Sequence, residues 1–289
     1  MAHDISPEEL EKKADSYFKK GSNFLVKLFV QTDLTEAADL YIEAAEAYYN
    51  NNQYLKSAEL FQRAGEIFIS EKREESRYEA SKAFVKSAEV YYIIDKEKCA
   101  EAYGKALEIS SRNIEDFSVA ASHAVKAAKI LKEIRKEKEA LEHMYKACEL
   151  YRNAKMAVSR RNLLEQCAEM EMGTKGYVKA LELYKELAND ETVIDQVIGN
   201  NSYLFAGALC AINISKTNEA YELLNRMDES RYETSVLYKM LEIKTKKNDK
   251  KEDLEKSISY LKRTTKLSRE VLAAIQDAQI SVDPDHDIL

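Results

Sequence analysis

The fold is decided by residues 40–64, which read LYIEAAEAYYNNNQYLKSAELFQRA. On either side of the polar turn Asn50–Asn52, small and apolar residues recur at the spacing that places them on one face of a helix. Residues 84–106, FVKSAEVYYIIDKEKCAEAYGKA, repeat this pattern around a turn at Asp95 and Lys96. Each stretch therefore predicts two helices joined by a short turn.

Two series of residues show that this hairpin is used five times. A small residue recurs at intervals of 43, 40, 40 and 40, and a large apolar residue recurs at intervals of 42, 41, 40 and 40. The small residues are Ala45, Ala88, Ala128, Ala168 and Ala208; the large ones are Phe61, Tyr103, Met144, Tyr184 and Leu224. Such self-similarity is typical of solenoids, whose units stack to bury a continuous core.

Composition supports helix almost throughout, because only 7 glycines and 2 prolines occur and both prolines lie near the ends. We therefore predict an all-α fold. It is a right-handed solenoid of antiparallel helical hairpins, similar to tetratricopeptide repeats but with repeats of about 40 rather than ~34 residues. A C-terminal helical cap bundle closes the array, since the last apolar face of a solenoid must be covered.

The domain organisation follows the repeat. The array is predicted over residues 1–231, beginning at a capping box formed by Ser6, Pro7 and Glu9. A loop at 21–32 interrupts it. Three closing helices are predicted over 232–282, and an acidic flexible tail occupies 283–289.

The sequence contains no motif that indicates catalysis or the binding of a cofactor, metal or nucleic acid. The glycines form no phosphate-binding loop, the four histidines form no zinc motif, and the aromatic residues follow core spacing rather than forming a base-stacking platform. The four cysteines show no paired spacing and no secretory signal precedes them, which favours reduced core thiols in a soluble cytoplasmic protein. We expect no enzyme activity, no cofactor, no metal and no nucleic acid partner.

Charge is unevenly distributed along a chain with a net charge of −7. Between Val119 and Gln166, eleven Lys or Arg residues stand against six Glu. This basic middle indicates an acidic partner at mid-length. The alternative is that these cations belong to solvated outer helix faces and form pairs three or four residues apart.

Two apolar segments lie outside the helical pattern. Six of the seven residues Phe24–Val30 are apolar, although they fall between two predicted helices. They form either a connection buried under the first repeat or a loop that inserts weakly into a membrane interface. The tail ends in Ile288 and Leu289, which complete no helix face and are available to a partner.

Several segments resemble a known family in order and spacing. They are GSNFLVKLF at 21–29, FSVAA at 117–121, ALC at 208–210, SR at 230–231 and the terminal DIL. The resemblance covers the whole chain. It is to the soluble attachment proteins that recruit the N-ethylmaleimide-sensitive fusion (NSF) ATPase to SNARE complexes, most closely the alpha-type animal and yeast members.

The resemblance implies an adaptor that grips the SNARE bundle of syntaxin-type helices, binds a hexameric AAA ATPase of the NSF type and contacts the bilayer as a peripheral membrane protein. The implied membrane contacts are Phe24, Leu25, Leu28 and Phe29. The implied SNARE contacts are Lys126, Lys155, Arg160, Arg161 and Arg231. The implied ATPase contacts are Glu242, Asp285, Asp287, Ile288 and Leu289.

Some positions depart from the family pattern. Ser122 occupies a position at which the family has a basic residue, and Asn162 lies near another such position. In the closing helices, Thr245-Lys246-Lys247 replaces part of the family's acidic cluster, of which Glu242 remains. Either the cognate ATPase has changed in parallel or its contact has shifted to the acidic tail. The alternative function is a generic tetratricopeptide-type scaffold that binds a short peptide in its groove.

Overall fold

The computed structural model describes residues 6–22, 34–71, 73–190, 197–227, 232–246 and 251–282. Within these ranges the regular structure is helical, with fourteen α-helices and one 3-10 helix, Ile114–Asp116. The α-helices are α1 Pro7–Ser22, α2 Thr35–Asn50, α3 Tyr54–Ser70, α4 Glu74–Ile94, α5 Lys96–Ser110, α6 Phe117–Glu133, α7 Glu137–Asn153, α8 Ala157–Gly173, α9 Tyr177–Ala188, α10 Val197–Asn213, α11 Thr217–Leu224, α12 Tyr232–Lys246, α13 Lys251–Thr264 and α14 Arg269–Val282. The predicted all-α fold is confirmed.

The first helix begins as the sequence predicts. The Glu9 amide donates to Ser6 Oγ at 3.2 Å, and the Ser6 amide donates to Glu9 Oε2 at 3.3 Å. This reciprocal pair satisfies two amides that the first turn of a helix leaves without partners.

The chain divides into two compact units, Met1–Arg160 and Arg161–Leu289. In the first unit each helix from α2 to α6 packs against the next one along the chain, and α1 packs on α2. Short turns between packed neighbours make these pairs antiparallel hairpins. Ala45, Ala88 and Ala128 lie buried on α2, α4 and α6, where they let the helices approach closely.

The large members of the repeat lie on the alternate helices. Phe61, Tyr103 and Met144 are buried on α3, α5 and α7 of the first unit. In the second unit Tyr184 and Leu224 occupy the same place on α9 and α11. The predicted repeat is therefore the repeat of the core, with one small and one large residue in each hairpin.

Most of the tight turns share one backbone motif. Asn52, Arg135, Lys155, Lys175 and Ser215 have positive φ angles of 57–64°. After each of them, the next amide donates to the carbonyl five residues earlier at 2.7–2.9 Å. This is the Schellman motif, which satisfies the last carbonyls of a helix and is usually built on glycine. Here five other residues adopt the left-handed conformation.

The turn between α4 and α5 is different. Asp95 has a φ of −154°, and its carboxylate accepts the amides of Glu97 and Lys98, both at 3.0 Å. The side chain thus caps α5 directly, as aspartate commonly does at this position.

In the second unit α10 is the central helix. It packs against α9, α11, α12 and α14, and α12 also contacts α13 and α14. The three predicted closing helices are α12–α14, and most of the large apolar residues of this region are buried. These are Leu237, Met240, Leu241, Ile243, Leu254, Ile258, Leu261 and Ile275. Leu267, Val271 and Leu272 are half-buried.

Polar contacts fix the last helix in this unit. Asp277 on α14 accepts hydrogen bonds from the Tyr177 hydroxyl and, at 3.0 Å, from Lys175 Nζ. Asn213 Nδ2 donates to the Ala274 carbonyl at 3.0 Å.

The domain boundaries predicted at residues 231 and 282 stay predictions. Among the helices of the described ranges, none is both long enough and apolar enough to cross a membrane.

Candidate functional site

The basic residues predicted to bind a partner lie on several elements. Lys126 is exposed on α6, where its Nζ lies 5.3 Å from the centroid of the Tyr103 ring. A cation over a tyrosine face is held by the ring quadrupole while its remaining surface stays in water. Lys126 therefore presents a positioned charge rather than a freely moving one.

Lys155 presents its charge from the turn between α7 and α8. Its φ of 57° and the hydrogen bond from its amide to the Arg152 carbonyl fix the backbone. The side chain is exposed, and no carboxylate of the described residues lies within ion-pair distance of it. A cation with no ion pair of its own can pair with an incoming acidic group without first breaking an existing contact.

The two adjacent arginines fall at the division between the units. Arg160 is half-buried in the first turn of α8, and its amide donates to the Met156 carbonyl. Arg161 is half-buried in the second unit, where its charge acts on the Tyr203 hydroxyl. Burial is the main reason that the pKa of Tyr203 rises to about 12, and the charge of Arg161 works against that rise.

Part of the basic middle is neutralised within the chain. Lys136 pairs with Glu97 and also, at 3.6 Å, with Glu139. Arg152 pairs with Glu149 at 3.1 Å, three residues away on the same helix. The interpretation as solvated, paired helix faces is therefore correct for these residues. It does not describe Lys126 or Lys155.

The predicted ATPase contact inside the described ranges is Glu242, which is half-buried on α12. Nearby, Lys244 donates to the Ile212 carbonyl at 2.6 Å, and burial lowers its pKa. Lys244 therefore acts inside the fold of the second unit.

The remaining predicted site residues lie outside the described residues. They are Phe24, Leu25, Leu28, Phe29, Arg231, Asp285, Asp287, Ile288 and Leu289.

One binding feature was missed in the sequence. A groove of about 1040 Å³ lies on the face formed by α2, α4 and α6, all in the first unit. Eight carboxylates and three cationic side chains line it, which gives a net charge of −5. We call this feature the acidic groove. The sequence does contain one signal for this groove: Glu46 and Glu89 are 43 residues apart, so an acidic residue recurs at the same place in consecutive repeats.

Buried polar groups also line the acidic groove. The Ser81 and Ser110 hydroxyls are buried and lie 2.9 Å apart. His123 is 7% exposed, and its Nδ1 has no hydrogen-bond partner among the described residues. Burial, and then the charge of Lys126, lower the pKa of His123, which keeps the ring neutral.

Metal-holding clusters and activated thiols are absent among the described residues. No cluster of three or more His, Cys, Asp or Glu residues within those ranges could hold a metal ion. None of the four cysteines forms a disulfide, and all four are buried. Burial raises the pKa of the Cys99 thiol to about 11 and that of Cys210 to about 12. Thiols at these values carry almost no thiolate at neutral pH and are poor nucleophiles.

Comparison with known proteins gives one family. The sequence model of the family described as "Soluble NSF attachment protein, SNAP" matches residues 5–273. Curated proteins give no significant match.

Solved structures give weaker similarities. BtubC (BKLC) from P. vanneervenii is 15% identical, with 82% of this chain and 92% of that chain covered and a TM-score of 0.38. A Signal Transduction ATPase with Numerous Domains (STAND) protein with a tetratricopeptide repeat sensor from Pyrococcus horikoshii is 16% identical, with 95% and 42% covered and a TM-score of 0.45. PilF from Pseudomonas aeruginosa is 18% identical, with 84% and 98% covered and a TM-score of 0.36. Similarities at this level carry no argument about function.

Proposed function

Because the chain belongs to the soluble NSF attachment protein family, which matches 5–273, we propose that it is a non-enzymatic adaptor between SNARE complexes and an NSF-type hexameric ATPase. The match over nearly the whole length is the observation that carries this proposal. In this role the chain works in the cytoplasm and associates with membranes peripherally. It transmits the work of the ATPase to the bundle and hydrolyses nothing itself.

Lys126 and Lys155 support a contact with an acidic helical bundle. Both are exposed, Lys126 is held over Tyr103, and Lys155 stands on a rigid turn. The charge of Lys126, held over the ring, loses little side-chain entropy when an acidic partner arrives, and the contribution of both lysines should fall as salt is added. Arg160, Arg161 and Arg231 complete the proposed set.

The SNARE contact is tested with two charge-matched variants. Lys126→Ala combined with Lys155→Gly removes two proposed contacts, and glycine accepts the positive φ at 155 without strain. Lys138→Ala combined with Lys146→Ala removes two exposed charges of α7 from the same basic middle. We expect the first variant to weaken binding to a SNARE bundle about tenfold and the second to change it less than twofold. If both variants lose affinity for the bundle equally, binding reflects general electrostatic attraction and not a specific role of Lys126 and Lys155.

The ATPase contact is tested by stimulation of hydrolysis. The cognate ATPase is mixed with a SNARE bundle and either the full chain or a form lacking Ile288 and Leu289. We expect the shortened form to bind the bundle normally and to stimulate hydrolysis poorly. Full stimulation would remove the tail from the proposal. A Glu242→Lys variant then asks whether α12 supplies the contact instead.

The membrane contact is proposed for the apolar segment containing Phe24 and Phe29. Replacing both with serine should reduce disassembly of bundles embedded in liposomes and leave disassembly of detergent-solubilised bundles nearly unchanged, because only the first reaction uses insertion into lipid. Equal losses in the two reactions would contradict a membrane role.

A further inference from the structure

The acidic groove has a charge opposite to that of the proposed SNARE contacts. Six of its carboxylates form no ion pair with any described residue: Glu46, Glu74, Glu75, Glu89, Glu115 and Asp116. One of its three cations, Lys82, already pairs with Glu79 at 3.0 Å. Like charges gathered on a concave surface raise the local concentration of oppositely charged ligands. The groove thus attracts cations and repels an acidic bundle.

The buried groups of the groove favour a ligand that donates hydrogen bonds. In the tautomer that carries the proton on Nε2, the buried His123 Nδ1 is an acceptor, and it has no hydrogen-bond partner among the described residues. A buried acceptor without a donor costs free energy that a ligand can recover. Ammonium and guanidinium groups are donors without acceptor capacity, which matches this need.

Apolar side chains stand among the charges. Tyr78 is 64% exposed and Val119 is 46% exposed, and both line the groove beside Ile42 and Val85. A small inorganic cation offers nothing to bury these surfaces. A polypeptide that carries both cationic and apolar side chains satisfies both parts of the lining.

We propose that the acidic groove on α2, α4 and α6 is a second binding site, which holds a lysine- and arginine-rich polypeptide segment interspersed with apolar residues. Its cationic side chains pair with the carboxylates on the rim and one donates to His123, while its apolar side chains cover Tyr78 and Val119. This ligand differs from the acidic bundle of the proposed function. One adaptor therefore contacts two polypeptide segments of opposite charge.

The test uses the full chain and a short synthetic peptide of alternating lysine and leucine, labelled with a fluorophore. A peptide in which glutamate replaces lysine is the control ligand. The groove variant combines Glu46→Lys, Glu75→Lys and Glu89→Lys. The matched variant combines Glu59→Lys, Glu101→Lys and Glu142→Lys, which reverses three exposed carboxylates on α3, α5 and α7 outside the groove. Both variants change the net charge equally.

We expect the lysine peptide to bind the native chain and to bind more weakly as salt rises. The groove variant should weaken binding about tenfold or more and the matched variant less than threefold, because the partner charges are local. On titration, NMR signals of Val85, Val119 and His123 should shift. Equal weakening in both variants, equal binding of the glutamate peptide, or shifts confined to α3, α5 and α7 would overturn the proposal.

Discussion

Close packing at single residues gives the sharpest prediction. A Cβ added to Gly65 on α3 would lie 2.8–3.1 Å from three atoms of the Phe84 ring on α4, which is almost fully buried. Overpacking of this kind costs about 1–3 kcal/mol, more than the ~1 kcal/mol that alanine gains over glycine in a helix. Gly65→Ala should therefore lower the urea midpoint of unfolding. Adding Phe84→Leu should recover part of the loss.

Gly104 on α5 is the matched control for this prediction. The nearest atom to its added Cβ is His143 Cε1 at 3.9 Å, which is ordinary contact. Gly104→Ala should stabilise the protein by about 0.5–1 kcal/mol through helix propensity alone. If both substitutions shift the midpoint in the same direction, the close approach of α3 and α4 does not decide the effect.

The buried His123 and the half-buried His143 should make stability depend on pH. Burial lowers the pKa of His123 and His143 below the ordinary 6.5, with further lowering by Lys126 and Lys146 respectively. Below pH 6.5 the unfolded chain takes up protons that the folded chain does not. Their contribution to stability is therefore complete above pH 6.5 and is lost as the pH falls through the lowered values.

Thermal unfolding measured between pH 7.5 and 5.5 checks this expectation. The midpoint of the native chain should fall across this range. The fall should be smaller in a variant with His123→Gln and His143→Gln, which removes both titrating groups. Unchanged pH dependence in the variant would assign the effect to other groups.

At the scale of the helices and their turns, the positive φ angles predict stabilising substitutions. Arg135 joins α6 to α7 in the left-handed conformation, which costs a non-glycine residue about 1–2 kcal/mol. Glycine also loses more entropy on folding, so Arg135→Gly should raise stability by about 0.5–1 kcal/mol. Lys146→Gly, in the middle of α7 on its exposed face, should lower it by about 1 kcal/mol. Urea denaturation compares the two, and a loss at position 135 would contradict the role given to the turn.

The exceptional turn at Asp95 predicts the opposite behaviour. Its carboxylate caps α5, and removing such a cap costs about 0.5–2 kcal/mol. Asp95→Ala should therefore destabilise the chain, while Asp95→Ser should retain most of the stability because serine also accepts the freed amides. The same denaturation measurement applies, and equal losses from both substitutions would argue against the cap.

At the scale of the whole molecule, stability should be distributed separately over the two compact units. Asp277→Ala leaves the Tyr177 hydroxyl without its acceptor and removes the partner of Lys175. Hydrogen exchange should then become faster in α9, α10 and α14, which belong to the second unit, while amides of α2–α7 keep their protection. In repeat proteins coupling runs mainly between neighbours.

Glu252→Ala supplies the comparison for this experiment. Its carboxylate pairs with Lys256 on the exposed face of α13, a contact worth about 0–1 kcal/mol. Exchange should stay close to that of the native chain. Faster exchange across both units in Asp277→Ala would show a single cooperative structure instead.

The sequence predicted the parts of the fold that depend on local pattern. The small residues of the Ala45 series and the large residues of the Phe61 series recur with the same period, and each period corresponds to one helical hairpin. Ser6 and Glu9 identify the first helix start because a capping box needs only neighbouring residues. Arg135, Lys175 and Ser215 could not be recognised as turn residues with positive φ, since glycine is the usual signal and was absent.

The proposed site was predictable only in part. Lys126 and Lys155 could be named from charge and resemblance, but the support of Lys126 by Tyr103 and the pairing of Lys136 with Glu97 join residues from different helices. The acidic groove was missed for the same reason. In the sequence its carboxylates are spread over 39–116 among many other charges.

By itself, the sequence determined that this chain is helical, that it repeats about every 40 residues, and which small and large residues form its core. These properties follow from backbone hydrogen bonding and the spacing of apolar residues, which act over a few positions. The tertiary structure alone decided that α2, α4 and α6 share a face, which of their charges meet there, and which buried nitrogen is left without a hydrogen-bond partner. Those outcomes depend on how each helix is rotated when its side chains interlock with its neighbours, and no local pattern records that rotation.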